Sequence, residues 1–168
     1  FAQSWNNLPR RSVYTKEQFE DWFAPLDADH FSGKSILELG CGNGSLLVHL
    51  LNWKPKKVVG VELGDAAIGA VETLKKSIYK NWSIEKEDLI NYVGVGYDVV
   101  YSIGVLHHLQ SPSLGFDAVV RNVKSGGRFH CWVYAKEGNG MVIRLVDPIR
   151  KITSRFPWRV TKYCVAAP

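Results

Sequence analysis

Three glycines at alternate positions, Gly40, Gly42 and Gly44, follow the apolar run Ile36-Leu37-Glu38-Leu39, and the helix-forming run Leu46 to Leu51 follows them. Glycines so spaced let bare backbone and a helix N-terminus come close to a ligand, which points to a nucleotide-type pocket. Acidic residues attend the turn. Glu38 stands two residues before the first glycine, Glu62 lies 22 residues after Gly40, and Asp88 follows a third apolar segment. A diphosphate beside Glu38 would be repelled, whereas a cationic or zwitterionic ligand carrying an ammonium would be held. Glu62 can accept two hydrogen bonds from a ribose diol. Asp88 can accept from an exocyclic adenine amine, with Leu63 and Leu89 lining the ring. Taken singly, Glu62 and Asp88 read better as solvated loop acids or helix caps. Their joint position at the ends of successive strands favours the ligand-binding reading.

Other nucleotide motifs fit less well. The dinucleotide fingerprint wants glycine where Ser45 stands, and a Walker loop needs a lysine that does not follow Gly44. Cys41 sits inside the turn, where a small side chain suffices and a catalytic thiol is not needed. Cys41, Cys131 and Cys164 are odd in number and widely spaced, so they suggest neither a metal site nor a disulfide framework. A reducing, cytoplasmic setting is the expectation. His107 and His108 are the candidate general bases by pKa and position. The competing reading is that one of them hydrogen-bonds the backbone of its own turn.

The elements that must position these groups are legible from periodicity and punctuation. Thr15-x-x-Gln18 has the form of a capping box before Phe19, Trp22 and Phe23, predicting a helix over 15–24 that ends at Pro25. Strands are expected at 35–39, 57–62, 82–86, 97–103 and 128–134. Pro55 stops the helix after the glycine turn. Asp65 is placed to cap the next helix, with Ala67, Val71, Leu74 and Ile78 as its buried stripe. Ser111-Pro112 reads as an N-cap followed by proline at the first helical position. Phe116, Val119, Val120 and Val123 then face inward, and Gly126-Gly127 closes that helix. Alternation of strand and helix argues for an α/β fold: a doubly wound, mostly parallel sheet of order 3-2-1-4-5 with helices on both faces. The glycine turn falls at the carboxyl end of the strands, near the switch point.

With 168 residues the chain can bury one core, and 46% hydrophobic and 22% charged residues are ordinary for a globular protein. No apolar run approaches the ~20 residues that cross a bilayer, so membrane insertion is not expected. The net charge of +5 permits an anionic partner. Much of it lies in Arg144, Arg150, Lys151, Arg155, Arg159 and Lys162, on an expected basic helix over 141–156 and beyond. A solvated helix face explains such a run more simply than a functional patch. The chain starts at Phe1 rather than Met and stops at Pro168 without a polar tail, which suggests a piece of a longer protein. Its organisation reads as a helical segment at 1–33, a nucleotide-binding core at 34–135 and a basic helical segment at 136–168.

The sequence resembles the class I S-adenosylmethionine-dependent methyltransferases, whose fold is Rossmann-like. The carriers are Glu38-Leu39-Gly40-Cys41-Gly42-Asn43-Gly44-Ser45, Val59-Gly60-Val61-Glu62, Glu87-Asp88-Leu89, and Tyr97-Asp98-Val99-Val100 leading into Ser102-Ile103-Gly104-Val105-Leu106-His107-His108. The resemblance implies that Glu38 and the glycine turn hold the methionine end of S-adenosyl-L-methionine. It places Glu62 on the ribose, Asp88 and Leu89 at the adenine, and Ser102 and Ile103 along the cofactor's border. The family's sheet usually ends in an antiparallel hairpin after the fifth strand. None is legible here, so it either follows Pro168 or is replaced by 141–168. The fourth-strand loop lacks the Asn/Asp-Pro-Pro-Tyr sequence that grips exocyclic base amines, which favours a small-molecule acceptor over nucleic acid. Trp5, Tyr14, Phe19, Trp22 and Phe23 read as core packing or as a lid. Three other readings compete with a methyltransferase acting on a small molecule. One is a non-catalytic cofactor-binding domain, and a second, an RNA methyltransferase, rests on charge alone. The third, a nicotinamide oxidoreductase, is disfavoured by Glu38 and Ser45.

Overall fold

The computed structural model describes residues 14–134 together with residues 140, 144, 145 and 148. The chain divides into two compact units, Phe1–Val133 and Tyr134–Pro168. In the first, helix α1 (Lys16–Phe23) and the short α2 (Ala28–Phe31) precede strand β1 (Ser35–Leu39). Then come α3 (Ser45–Leu51), β2 (Lys57–Glu62), α4 (Ala66–Leu74), β3 (Trp82–Lys86), β4 (Tyr97–Ile103), a 3-10 turn (Leu106–His108), α5 (Pro112–Asn122) and β5 (Val123–Trp132). All four strand pairings are parallel, in the order β3-β2-β1-β4-β5. The doubly wound sheet expected from the sequence is the one formed.

Both faces of the sheet are covered, because residues alternate across each strand. On one face Ile36, Val58, Val99 and Tyr101 pack with α1, α3 and α4 through Phe19, Phe23, Leu47, Leu50, Ala70 and Leu74. On the other, Leu37, Leu39, Val59, Val61 and Val100 pack with Leu89, Tyr92 and α5 through Ala118 and Val119. Burying each of the larger side chains contributes roughly 1.5–3 kcal/mol. The capping box of α1 is present, with Gln18 N 3.3 Å from Thr15 Oγ1 and Thr15 N 3.0 Å from Gln18 Oε1. Phe19 and Phe23 are core residues rather than a lid, their ring centroids 4.5 Å apart and 4.6 and 5.7 Å from the ring of Trp53, which Phe23 meets edge-on. Trp5 lies outside the described residues, as does the expected basic helix over 141–156 apart from Arg144, Leu145 and Pro148. No helix among the described residues is long and apolar enough to cross a membrane.

Four local expectations need correction. Asp65 makes no capping bond to α4; its carboxylate pairs with Lys86 at 2.6 Å instead. Ile78 lies beyond the end of α4 and is exposed, and Val71 is only half-buried, so the buried stripe is Ala66, Ala67, Ala70 and Leu74. On α5 the inward face is Gly115, Ala118, Val119 and Asn122, while Phe116 and Val120 are 54% and 56% exposed. A side chain at Gly115 would meet Leu109 at 2.5 Å, so α5 lies close on the 3-10 turn and its small residues, not its large ones, face in. Finally, α5 stops at Asn122 rather than at the glycine pair. Asn122 is fully buried, donates to Tyr92 O at 3.0 Å and accepts from Gly94 N at 2.6 Å. β5 therefore starts five residues early, and Gly126-Gly127 lie in a bulge between the pairs Tyr97↔Val123 and Val99↔Arg128.

Candidate functional site

The glycine turn closes the carboxyl end of β1. Gly40, Gly42 and Gly44 have φ of +84°, +53° and +77°, the left-handed region that side chains rarely adopt. At Gly40 space is a second reason, since a Cβ there would lie 2.6 Å from Val105 Cγ2. The turn's amides are largely spent within the protein. Gly40 N and Cys41 N donate to Val61 O at 2.8 and 3.0 Å, and Gly44 N donates to Cys41 O at 2.9 Å. Gly42 N donates to Glu62 Oε2 at 3.0 Å, and Ser45 N to Asn43 Oδ1 at 3.2 Å.

Glu62 therefore joins two loops. Its second oxygen accepts from Gly64 N at 2.9 Å, which holds the half-buried carboxylate at the end of β2. Glu38 lies deeper, 2% exposed, and accepts a hydrogen bond from the Tyr101 hydroxyl at 2.9 Å. Burial pushes its carboxyl up to about 8. The Tyr101 bond works against that rise, and the Glu62 charge adds to it. Cys41 is buried, and burial followed by the charges of Glu38 and Glu62 holds its thiol well above the ordinary range. A neutral, enclosed thiol is a packing group, not a nucleophile.

The remaining expected residues lie at the same carboxyl edge. Glu87 N donates to Glu62 O at 3.1 Å, which ties the β3 loop to the end of β2. Asp88 Oδ1 accepts from Ile90 N at 3.0 Å, an Asx-type turn, while Leu89 is buried and Leu63 is 61% exposed. Ser102 is fully buried and its hydroxyl donates to Leu39 O at 2.9 Å, so its side chain braces β4 against β1. Ile103 is half-buried and packs against the cluster that contains Cys41. His107 is half-buried and His108 exposed, their rings 4.0 Å apart, and burial lowers the His107 pKa.

Two residues escaped the sequence reading. Tyr101 stands opposite Glu38 in the β1–β4 register, and Val105 lies over Gly40. A tyrosine inside a buried strand is a sign that its hydroxyl has a partner, but the sequence does not give the register that names it.

The model of a methyltransferase domain family matches residues 37–129. A tRNA U34 carboxymethyltransferase of Helicobacter pylori (strain P12) is 31% identical over 113 residues, covering 63% of this chain and 42% of that protein. A ubiquinone biosynthesis O-methyltransferase of Pseudomonas savastanoi pv. phaseolicola is 31% identical over 100 residues, 58% of this chain and 43% of that one. The chain thus spans under half the length of these curated relatives. Among solved structures, the N-methyltransferase NodS from Bradyrhizobium japonicum WM9, in complex with S-adenosyl-l-homocysteine, has the same fold. It aligns with a TM-score of 0.59 and 20% identity, covering 68% of this chain and 59% of that one. Expecting no nucleic-acid acceptor gains no support from these relatives, since one of them is named for a tRNA. A family match over more than half of the chain, on a parallel sheet of order 3-2-1-4-5, makes this protein a member of the class I S-adenosylmethionine-dependent methyltransferases.

Proposed function

We propose that this chain binds S-adenosylmethionine at the carboxyl edge of β1, β2 and β4 and directs its methyl group to a small-molecule acceptor. One observation carries the reading. The amides of Gly40, Cys41, Gly42, Gly44 and Ser45 donate inside the protein, and Gly42 donates to a carboxylate. A turn that binds a diphosphate must offer its amides to the ligand. This turn spends those amides on Val61, Cys41, Asn43 and Glu62, with the carboxylates of Glu38 and Glu62 beside it, an arrangement suited to a diol and a cation.

Bound S-adenosylmethionine supplies an electrophilic sulfonium methyl, so the protein needs little covalent machinery of its own. Each Glu62 oxygen accepts one backbone amide and keeps capacity for a ribose hydroxyl. Glu38 receives the ammonium of the methionine end. Asp88 and Leu89 take the adenine, while Ile103 and the β4 backbone at Ser102 border the cofactor. The turn after β4 faces the acceptor. His107, kept neutral at pH 7 by burial, takes the proton of an acceptor that arrives as a hydroxyl.

A small acceptor is supported by the Gly104-Val105-Leu106-His107-His108 loop, which lacks the sequence that grips a base amine, and by the likeness to the quinone-pathway relative. A tRNA acceptor is the second reading. It is favoured by the likeness to the tRNA-named relative and by the basic residues after position 143. Calorimetry with S-adenosylmethionine and with NAD tests the cofactor, and transfer of labelled methyl to a phenolic quinol or to bulk tRNA tests the acceptor. Binding of the sulfonium compound and label on the quinol are expected. NAD binding in its place overturns the reading of the cleft, and label on tRNA alone replaces the acceptor.

A further inference from the structure

Glu38 sits in an unusual position for a carboxylate. It is 2% exposed, and none of the ion pairs among the described residues includes it. The groups that face it are a phenol, a thiol and another acid: Tyr101 from β4, Cys41 from the glycine turn and Glu62 from the end of β2. The next strand, β5, contributes His130 beside Tyr101 in the register. The His130 ring stacks on Phe23, and its Nε2 lies 2.8 Å from Trp22 O. Tyr101 is fully buried and edge-on to Phe23 at 5.0 Å, so the phenol has little freedom to turn away. An ionised carboxylate here has one neutral donor, a neighbouring negative charge and almost no water, which strongly favours the protonated acid. A cation entering the cleft reverses that preference.

We propose that Tyr101 is a positioning residue for cofactor capture: its phenol holds Glu38 in place so that an arriving cationic ligand drives one proton off the carboxyl into solvent. This rests on the reading that Glu38 meets the methionine end of S-adenosylmethionine. In the step the Glu38 O–H bond breaks, its electron pair stays on the carboxylate, and the proton passes to buffer. Tyr101 keeps its own proton and donates to Oε2 before and after. Burial, then the Glu38 charge and hydrogen bond, hold the phenol well above its ordinary range, so it remains the donor. The value near 8 for Glu38 agrees with an acid that is neutral in the ligand-free protein at neutral pH.

The test is calorimetry with S-adenosylmethionine in buffers of differing ionisation enthalpy at about pH 6.5, where the ligand's own α-ammonium stays protonated. Release of close to one proton per ligand is expected from the natural protein and none from Glu38→Gln. Between about pH 6 and 7 the affinity should rise about tenfold, as for a single site that must ionise to bind. Glu38→Gln removes that rise and retains the ligand's own titration, so the ratio of the two profiles isolates Glu38. In Tyr101→Phe the donor that favours the ionised form is gone, so the rise moves to higher pH and affinity recovers there. A Tyr101→Phe profile lowered by one factor at every pH assigns the phenol a packing role and overturns the proposal, as does zero proton release by the natural protein. Failure of the natural protein to bind S-adenosylmethionine at any pH overturns the cofactor assignment itself, a separate result.

Discussion

Glu38→Gln also has a consequence for the ligand-free protein. The carboxyl titrates at about 8 when folded, against an ordinary 4.5. With the folded value above the unfolded one, the native state binds more protons throughout that interval. Stability therefore falls as pH rises from about 4.5 to about 8. At ~1.4 kcal/mol per pH unit, the loss is of the order of 5 kcal/mol above pH 8, with about 3 kcal/mol of it present at pH 7. Such a loss is large against the 5–15 kcal/mol or so that separates folded from unfolded domains. Glutamine keeps an acceptor for Tyr101 and has no acidic proton, so the variant escapes this decline. Urea unfolding followed by tryptophan fluorescence, without ligand, at a series of pH values from about 5 to 8.5 reads the difference. The two proteins should be of similar stability near pH 5, and the variant should lead by several kcal/mol at the alkaline end. Parallel profiles across the range would show that Glu38 is ionised, or equally at ease in both forms, and the electrostatic account of the cleft floor would fail.

Glu62→Ala deprives the amides of Gly42 and Gly64 of a charged acceptor; at ~1.5–3 kcal/mol for a hydrogen bond to a charged group, half-buried here, a loss of about 2 kcal/mol in stability is expected. Its affinity for S-adenosylmethionine should drop at least about tenfold, and unchanged affinity by calorimetry would remove Glu62 from the binding site. Gly60→Ala tests the packing behind the turn, because the new methyl would stand 2.9 Å from Cys41 Sγ, Leu47 Cδ1 and Ile84 Cδ1. An overpacking cost of about 1–3 kcal/mol in chemical denaturation is expected, and a neutral result would mean that the β2–turn contact is looser than the structure has it.

The second and fourth strands were the most legible, because each announces itself twice, by a β-branched run and by the punctuation around it. Val58-Val59-Gly60-Val61 after Pro55, and Tyr97 to Ile103 after Gly94 and Gly96, needed no tertiary information. The faces of α4 and α5 were less legible, because their large apolar residues mark one stripe while mainly the small ones are buried. On α5 the deciding fact was a close approach: Gly115 under Leu109 turns the small side inward and leaves Phe116 edge-on to Phe129 at 6.1 Å. The end of α5 was missed for a similar reason. Two glycines look like a helix stop, but a buried asparagine bonded to Gly94 and Tyr92 stops it first. At the candidate site, the positions of Glu38, Glu62 and the turn at the strand ends could be read from spacing, since strand ends and loops are local. Tyr101 could not, because a parallel register is a relation between segments 63 residues apart, which a linear pattern does not encode.

The placement of Glu38 also bears on why a protein keeps a group that weakens it. Two carboxyls near one another, one of them sealed under a glycine turn, raise the free energy of the empty protein. An apolar residue at position 38 would relieve that cost and would pack readily beside Ile36, Phe23 and Tyr101. It would also leave the cleft floor without a charge to meet a cation. On the proposed reading that cost is a means of selection: a cation relieves it, a neutral nucleoside leaves it unchanged, and a diphosphate adds to it. Glu62 differs in that each of its oxygens already accepts a backbone amide, from Gly42 and from Gly64. In the proposed site the two acids would divide recognition between them, Glu62 by its hydrogen-bonded oxygens and Glu38 by ionising when a cation arrives. The proposed capture gives the tyrosine on β4 a physical reason: a phenol is a donor that steadies the carboxyl without neutralising it, which a lysine in the same place would do.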